Sequence, residues 1–569
     1  MLIVSTDASR TVYCGGVAGY STAAVSDCVN AQPVSTTLYR SGDAVYNEYT
    51  GGVVGYQASG SIKSCTNRGS MISSSNQQYL YMGGIAGDFA EGEAENNVNV
   101  AKLDLQGDAT SAVKGVRYAS VGGLYGRFGA VQSDSDKNSS NSGPITVLNV
   151  ETAADNSTTL NLGGVAGYID SESPLSSLTN TGAVTADLVA NFTAFAIGGI
   201  AGSTECGISD SKNSGTLMIN NGILLKNTSS RICFGGIAGR NVAGDLNTYS
   251  GCVNDGEVGI STKSNDFNIL PAFTGGILGY TEMPVAVKGC ENNGYVNSSG
   301  ANNKYDGLFS AAGGIVGAIV ETVAEVADCI VSVDIRNYAY NRNIDMDPFK
   351  MCHCGGIVGC AVGESQSNIV KISNCSNSGA LENKRSTAAG IVGFAKYAAV
   401  SDCRFTGSVV GSGPHFAAGI AGCLSDASVT DCIVKSPDIY SHSSLGFNSI
   451  NHFPAAGIVG YLYGKSSVSR CKAFATLIQN VGSTANEQMH VGMGLIAGIS
   501  TAGSTISDCG VGGTLNTGSA GKVQNVIMTV TSDNFGNCIV GDGNVTPSGC
   551  YYWNGQEQTD AGNARNGFY

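Results

Sequence analysis

One short pattern, Gly-Gly-(Ile/Val/Leu)-x-Gly, returns along the whole of this 569-residue chain, and a backbone signature that recurs at a steady interval implies a structural unit that recurs with it. Strict copies begin at Gly15, Gly51, Gly83, Gly122, Gly163, Gly198, Gly235, Gly275, Gly313 and Gly355. Copies opening with Ala begin at Ala389, Ala418 and Ala456, and looser ones at Gly494 and Asn537, which makes fifteen at a mean spacing of about 37 residues. A second mark keeps step with the first: a small or apolar residue, often a Cys 13 to 20 residues after the start of the cluster, commonly followed by x-Asn-x-Gly, as at Asn67/Gly69, Asn180/Gly182 and Asn292/Gly294.

Short β-rich runs such as Val285-Ala286-Val287-Lys288 lie between corners rich in Gly and Asn. A single unit cannot stand alone. Burying about five aliphatic side chains at roughly 1.5 to 3 kcal/mol each falls short of ordering about 37 residues at roughly 1 to 2 kcal/mol each. Stacking closes that gap, because each coil pairs its backbone with the next. The sequence therefore predicts an all-β chain, a parallel β-helix or β-solenoid of about fifteen stacked repeats, one coil per repeat, with loops protruding at the variable spacers. Residues 1–550 read as one continuous repeat domain and 551–569 as a polar C-terminal cap or tail, with Trp553, the only tryptophan, in the cap. The 80 glycines argue against helices, whose interiors each Gly weakens by about 1 kcal/mol. The 42% apolar content and 13% charged content argue against disorder.

In such a stack equivalent residues lie about 4.8 Å apart on neighbouring coils, so repeated side chains become ladders. Cys252, Cys290, Cys329, Cys375, Cys403, Cys432, Cys471, Cys509 and Cys550 hold one site on consecutive repeats and read as a structural file of buried, mostly free thiols. The residue before that cysteine is Asp402, Asp431, Arg470 and Asp508 on four consecutive repeats; alternation points these outward in a line. They are candidate binding residues, or a solvated face with a ladder salt bridge. No resident cofactor is expected, a calcium ion between the aspartates being the one alternative that the line offers. Aromatics close several glycine clusters, at Tyr20, Tyr56, Tyr168, Tyr280, Phe394 and Tyr461; Tyr20 and Tyr56 are placed to stack on adjacent coils, as a sugar-binding platform or as cover for a corner.

No metal site is expected either. Cys352-His353-Cys354 lacks a second ligand pair and reads as two inward cysteines flanking an outward histidine. His353, His415, His452 and His490 each precede a glycine cluster by a few residues and read as variable loop positions. No His-Glu-x-x-His, Gly-x-Ser-x-Gly or Walker A pattern is present, so no catalytic residue is assigned. A net charge of −14 disfavours nucleic acid and anionic membrane surfaces. The most apolar stretch, Ala311 to Val333, is interrupted by Glu321, Glu325 and Asp328, so this segment is not expected to insert in a membrane.

Gly-Gly-Ile-Ala-Gly followed by a Cys-x-Asn-x-Gly strand resembles the GLUG-motif repeats, with copies from about Gly15 to Gly541. The closing Cys550-Tyr551-Tyr552-Trp553 is similar to the way such arrays end. The resemblance implies a bacterial cell-surface or secreted, adhesin-like protein. The immunoglobulin-A-cleaving metallopeptidase that accompanies some family members does not carry over, since its zinc motif is absent. The N-terminus lacks an export signal, which with the resemblance makes the chain read as a segment of something longer. The expected function is a non-enzymatic adhesin or stalk, extracellular or on the bacterial surface, presenting loops from a rigid solenoid to a glycan or protein partner. The alternatives are a carbohydrate-active β-helix enzyme, a lyase or hydrolase using the Asp/Arg line, and a structural subunit of a fibre.

Overall fold

The computed structural model describes residues 2–5, 11–38, 47–75, 77–106, 113–129, 136–148, 150–152, 158–187, 194–221, 231–260, 272–298, 302–303, 309–338, 340–341, 351–384, 387–412, 416–443, 454–481, 492–518, 526–543 and 545–556. Over these the chain is an all-β parallel solenoid. The longer spacers between the sequence marks fall mostly outside the described residues.

One turn shows the plan. A first face, Thr159–Gly163, meets a second face, Ala166–Ile169, at the glycine cluster; short strands Leu175–Ser176, Thr179–Asn180 and Val184–Asp187 complete the circuit. Each pairs in parallel with its counterpart one turn on: Thr159 with Ala194, Ala166 with Ala201, Leu175 with Ile208, Thr179 with Lys212 and Val184 with Leu217. Among the described residues ten turns carry five separate strands. Later turns fuse the last two into Ile433–Ser443, Lys472–Val481 and Gly510–Gly518. The chain divides into two compact units, one of residues 1–286 and 290–305, the other of 287–289 and 306–569. Among the described residues the second face holds eight strands in the first unit and seven in the second.

The glycine cluster works through close approach, not through unusual dihedral angles. The corner turns the carbonyl of its third residue along the stack, where it accepts two backbone N–H groups: Ile200 O takes Val165 N at 3.0 Å and Ala166 N at 2.8 Å. A Cβ on Gly163 would lie 1.7 Å from Ala166 O, and one on Gly164 would lie 2.1 Å from Gly199 O and 2.3 Å from Asn180 Cγ. The third residue itself, Val165, Ile200 or Ile237, points into a dry interior at 0% exposure.

Asn180 belongs to a ladder that fills the first unit. Asn30, Asn67, Asn99, Asn141, Asn180, Asn213, Asn254 and Asn292 stack, each Nδ2 donating to the next Oδ1 at 2.8–2.9 Å. Each amide also closes its own corner: Asn180 Nδ2 donates to Gly182 O at 2.9 Å and its Oδ1 accepts from Gly182 N at 3.2 Å. From Asn30 to Asn254 burial of the amide is tolerable because its Nδ2 is paired with the next turn, whereas Asn292, the last member, keeps only its Oδ1 bonded. In the second unit the same position is Val331, Asn377, Phe405, Val434, Ala473 and Val511, and the ladder gives way to apolar packing.

A second corner recurs with equal regularity. In every repeat one residue has φ between 47° and 63°: Asp27, Ser64, Asn96, Asn138, Ser177, Asp210 and Gly251 in the first unit, and Gly289, Asp328, Asn374, Asp402, Asp431, Arg470, Asp508 and Gly549 in the second. Asp, Asn, Ser and Gly tolerate this left-handed conformation, so the recurrent aspartate is first a backbone choice. The next residue turns inward and reaches back to the carbonyl two positions earlier: Ser211 Oγ to Ser209 O at 2.8 Å, Cys375 Sγ to Ser373 O at 3.2 Å, Cys471 Sγ to Ser469 O at 3.4 Å. The slot is mostly Cys or Ser, with Asn97 and Leu178 filling it in two turns of the first unit. At the C-terminal end Tyr551–Tyr552 pairs with Gly510 and Val511, and Trp553, 6% exposed, meets Phe474 edge to face at 6.3 Å.

Replacing Asn180 by Ala strands an N–H of Asn141 and the N–H of Gly182, at roughly 1 to 3 kcal/mol for each buried group left unpaired. Amide hydrogen exchange should report an opening free energy about 3 kcal/mol lower in the turns of Asn141, Asn180 and Asn213. Protection in the second unit should not change.

Candidate functional site

The residues singled out from sequence are brought to two surfaces and one interior. Asp402, Asp431, Arg470 and Asp508 do stand on successive turns, at the left-handed corner. Arg470 grips Asp431 through Nε at 2.8 Å and Nη2 at 2.6 Å, and both lie at the surface, where such a pair contributes about 0 to 1 kcal/mol. Among the described residues no group of three or more His, Cys, Asp or Glu side chains is arranged to hold a metal ion. Cys252 and Cys290 are neighbours in the first unit, as are Cys28 and Cys65; Cys329, Cys375, Cys403, Cys432, Cys471, Cys509 and Cys550 form one file in the second. His353 turns away from Cys352 and Cys354 but is buried, at 1% exposure, against Phe394 at 5.1 Å with Nδ1 2.7 Å from Thr387 Oγ1. The expectation of an outward histidine fails because the surface it turns toward is itself covered. His415, His452 and His490 lie outside the described residues.

That surface is the re-entrant angle between the first and second faces. The glycine corner folds the second face back so sharply that outward side chains from both faces converge. In the first two turns Tyr13 meets Tyr20 at 5.5 Å and Tyr49 meets Tyr56 at 5.0 Å, both edge to face. Along the stack Tyr13, Tyr49 and Tyr81 lie 5.4 and 5.0 Å apart and nearly parallel; Tyr20 and Tyr56 lie 5.6 Å apart at 15°. Tyr20 is 53% exposed and Tyr13 38%. Tyr20 and Tyr56 thus belong to a groove with two aromatic walls.

Further along the first unit the walls change character while the register holds. The second-face wall continues from Tyr56 through Asp88, Arg127, Tyr168, Ser203 and Arg240 to Tyr280. The first-face wall continues from Tyr81 through Ser120, Asn161, Ala196 and Cys233 to Phe273. Where small residues such as Ala196 and Ser203 occupy both walls the groove widens into a cleft of about 610 Å³. Tyr81, Tyr118 and Tyr168 line it together with Arg127, Arg231, Arg240, Asn161 and Asp170. In the second unit the equivalent positions His353, Cys360, Thr387, Phe394, Phe416 and Cys423 are all buried and the angle is closed over those turns; further on, Tyr461 and Asp542 at the same second-face position are half-buried.

The polar groups of the cleft hold one another in place. Arg127 bridges Asp88, at 3.4 Å, and Asp170. Tyr118 accepts from Asn161 Nδ2 at 3.2 Å, and Asn161 Oδ1 accepts from Ser203 Oγ at 2.8 Å. Tyr168 donates to Glu205, and Arg231 and Tyr280 both bond Glu282. Arg231 also lies 4.7 Å over the Tyr280 ring. Burial raises the Tyr168 phenol well above its usual range, with the Glu205 contact adding to it. Glu282 stays below its usual range despite burial, because Tyr280 and Arg231 donate to it. Arg240 Nε is buried in the wall without a hydrogen-bond partner. Sequence reading found Tyr20, Tyr56, Tyr168 and Tyr280 from their place at the end of the glycine cluster. It missed Tyr13, Tyr49 and Tyr81, two residues before the cluster, and Asp88, Arg127 and Arg240, which share the offset of those tyrosines but not their residue type.

Asp88 carries a pH signature. It is 2% exposed, and burial pushes its carboxyl up to about 6, Arg127 pulling the other way and Asp170 adding to the rise. The folded chain therefore keeps a proton that the unfolded chain loses near pH 4. Relative to the value below pH 4, stability falls as pH rises toward 6, by about 3 kcal/mol for two units. Unfolding of the first unit followed in urea at intervals from pH 4 to 7 should show that slope, and Asp88→Asn should flatten it.

Set against family models, curated proteins and solved structures, the chain matches none, so the reading of the cleft rests on its own chemistry.

Proposed function

We propose that the chain is a non-enzymatic, surface-exposed or secreted adhesin or stalk, and that the groove of its first unit binds a glycan. The observation that carries this is the cleft itself. Tyrosine walls offer apolar ring surface edged with hydroxyls, which suits the mixed character of a pyranose, and the Arg, Asp and Asn side chains between them are bonded donors and acceptors set at fixed positions. The arginines are largely matched by Asp88, Asp170 and Glu282, and the chain carries −14 overall. That balance favours a neutral, hydroxyl-rich chain over a polyanion. Because a groove position recurs with every turn, at about 4.8 Å, an extended polysaccharide lying along the stack would meet a new pair of wall residues at each step. The likeness of the glycine and Cys-x-Asn-x-Gly marks to GLUG-motif repeats supports the extracellular placement.

A glycan array followed by calorimetry on the best neutral oligosaccharide tests the reading. Tyr81→Ala and Tyr168→Ala should each weaken binding about two- to twelvefold, the loss expected for one aromatic contact of roughly 0.5 to 1.5 kcal/mol. Asp402→Ala and Asp431→Ala should leave it unchanged. No retention of any neutral glycan by the folded chain would overturn the proposal. Release of new reducing ends or unsaturated products, lost in the Asp402 and Asp431 variants, would favour the enzymatic alternative.

A further inference from the structure

We propose that the seven-cysteine file of the second unit is a disulfide relay, oxidised from its Cys550 end by a small disulfide of the glutathione class. Register places the seven residues one above another on successive turns. Neighbouring thiols interact along the file: Cys375 with Cys329 and Cys403, Cys432 with Cys403 and Cys471, and Cys509 with Cys471 and Cys550. None of the seven is joined in a disulfide. Adjacent strands hold their Cα atoms about 4.8 Å apart, inside the window of about 4.4 to 6.8 Å that a disulfide accepts. A file of stacked sulfurs also supplies the in-line approach of attacking, central and leaving sulfur that thiol–disulfide exchange needs.

Access is one-sided. Cys329, Cys375, Cys403, Cys432, Cys471 and Cys509 are at most 1% exposed, whereas Cys550 is 5% exposed. The Cys550 thiolate attacks one sulfur of the small disulfide, forming a mixed disulfide and releasing one small thiol. Cys509 then attacks Sγ of Cys550, forming Cys509–Cys550 and releasing the second. Two protein thiols have lost two protons and two electrons, and the small disulfide has taken both. When Cys471 attacks Cys509, the bond moves inward as Cys471–Cys509 and Cys550 returns as a thiol, with no net oxidation. Repetition loads the file until one of its seven thiols is left unpaired.

The full chain incubated with oxidised glutathione, then denatured, alkylated and mapped by mass spectrometry, tests this. Cys509–Cys550 should appear first and inner pairs later, while Cys354, Cys360 and Cys423, buried but with no cysteine at the stacked position, stay reduced. Cys471→Ser should fold, since Ser211 fills the same slot in the first unit, and should still form Cys509–Cys550. Oxidation of Cys329, Cys375, Cys403 and Cys432 should then slow about tenfold or more, because the hydroxyl cannot carry the exchange. Inner oxidation at an unchanged rate in Cys471→Ser, equal oxidation of Cys354, Cys360 and Cys423, or no loss of file thiols would each overturn the relay.

Discussion

The structure depends on a backbone carbonyl aimed along the stack at each glycine corner. Because the third residue of the cluster offers its oxygen to two N–H groups of the preceding turn, as Ile200 O does to Val165 and Ala166, every corner fixes the register of the next. That contact requires the two glycines to come within van der Waals reach of carbonyls and of the side chain beneath them, which any Cβ would prevent. A repeat of about 37 residues with variable spacers can therefore stay in register, since the spacers join fixed corners and their length does not enter the contact.

Once register is fixed, each interior position is a column, and the two units fill their columns differently. In the first unit the position facing the second glycine is an amide ladder of eight asparagines, each hydrogen bond aligned with the next. In the second it is mostly apolar, and the cysteine slot becomes the continuous column instead. The re-entrant angle follows the same division. Tyrosines and paired ions leave it open in one unit, whereas Phe394, Phe416 and His353 close it in the other. A shared backbone thus yields one unit with a solvent-facing groove and one in which the equivalent line is covered from His353 to Cys423.

The backbone plan was legible in the sequence because it is carried by glycine, whose spacing cannot drift without a clash. The cysteine file was legible for a related reason: in the second unit its inward slot is filled by the same residue on every turn from Cys329 to Cys550. The trailing asparagine was visible as a mark, but its partners are other copies of itself, and no single repeat discloses a ladder. The Asp402, Asp431, Arg470 and Asp508 line was read as a surface feature of possible chemistry, whereas the left-handed backbone at that corner already accounts for its aspartates. The cleft was least legible. Tyr56, Asp88, Arg127 and Tyr168 share one offset yet differ in size and charge, so a search for repeated residue types passes over them.

That difference is itself the physical clue. In this solenoid the buried positions change only among side chains that fit their own copies, Asn or apolar groups at the ladder, whereas the outward position of the second face mixes charge, size and polarity. The second-face wall runs Tyr, Tyr, Asp, Arg, Tyr, Ser, Arg, Tyr from Tyr20 to Tyr280, and those side chains are nevertheless bonded to one another across turns, as Arg127 is to Asp88 and Asp170. Variation without disorder is what a binding surface on a rigid frame requires: the frame supplies positions at fixed intervals, and the sequence writes a different group at each.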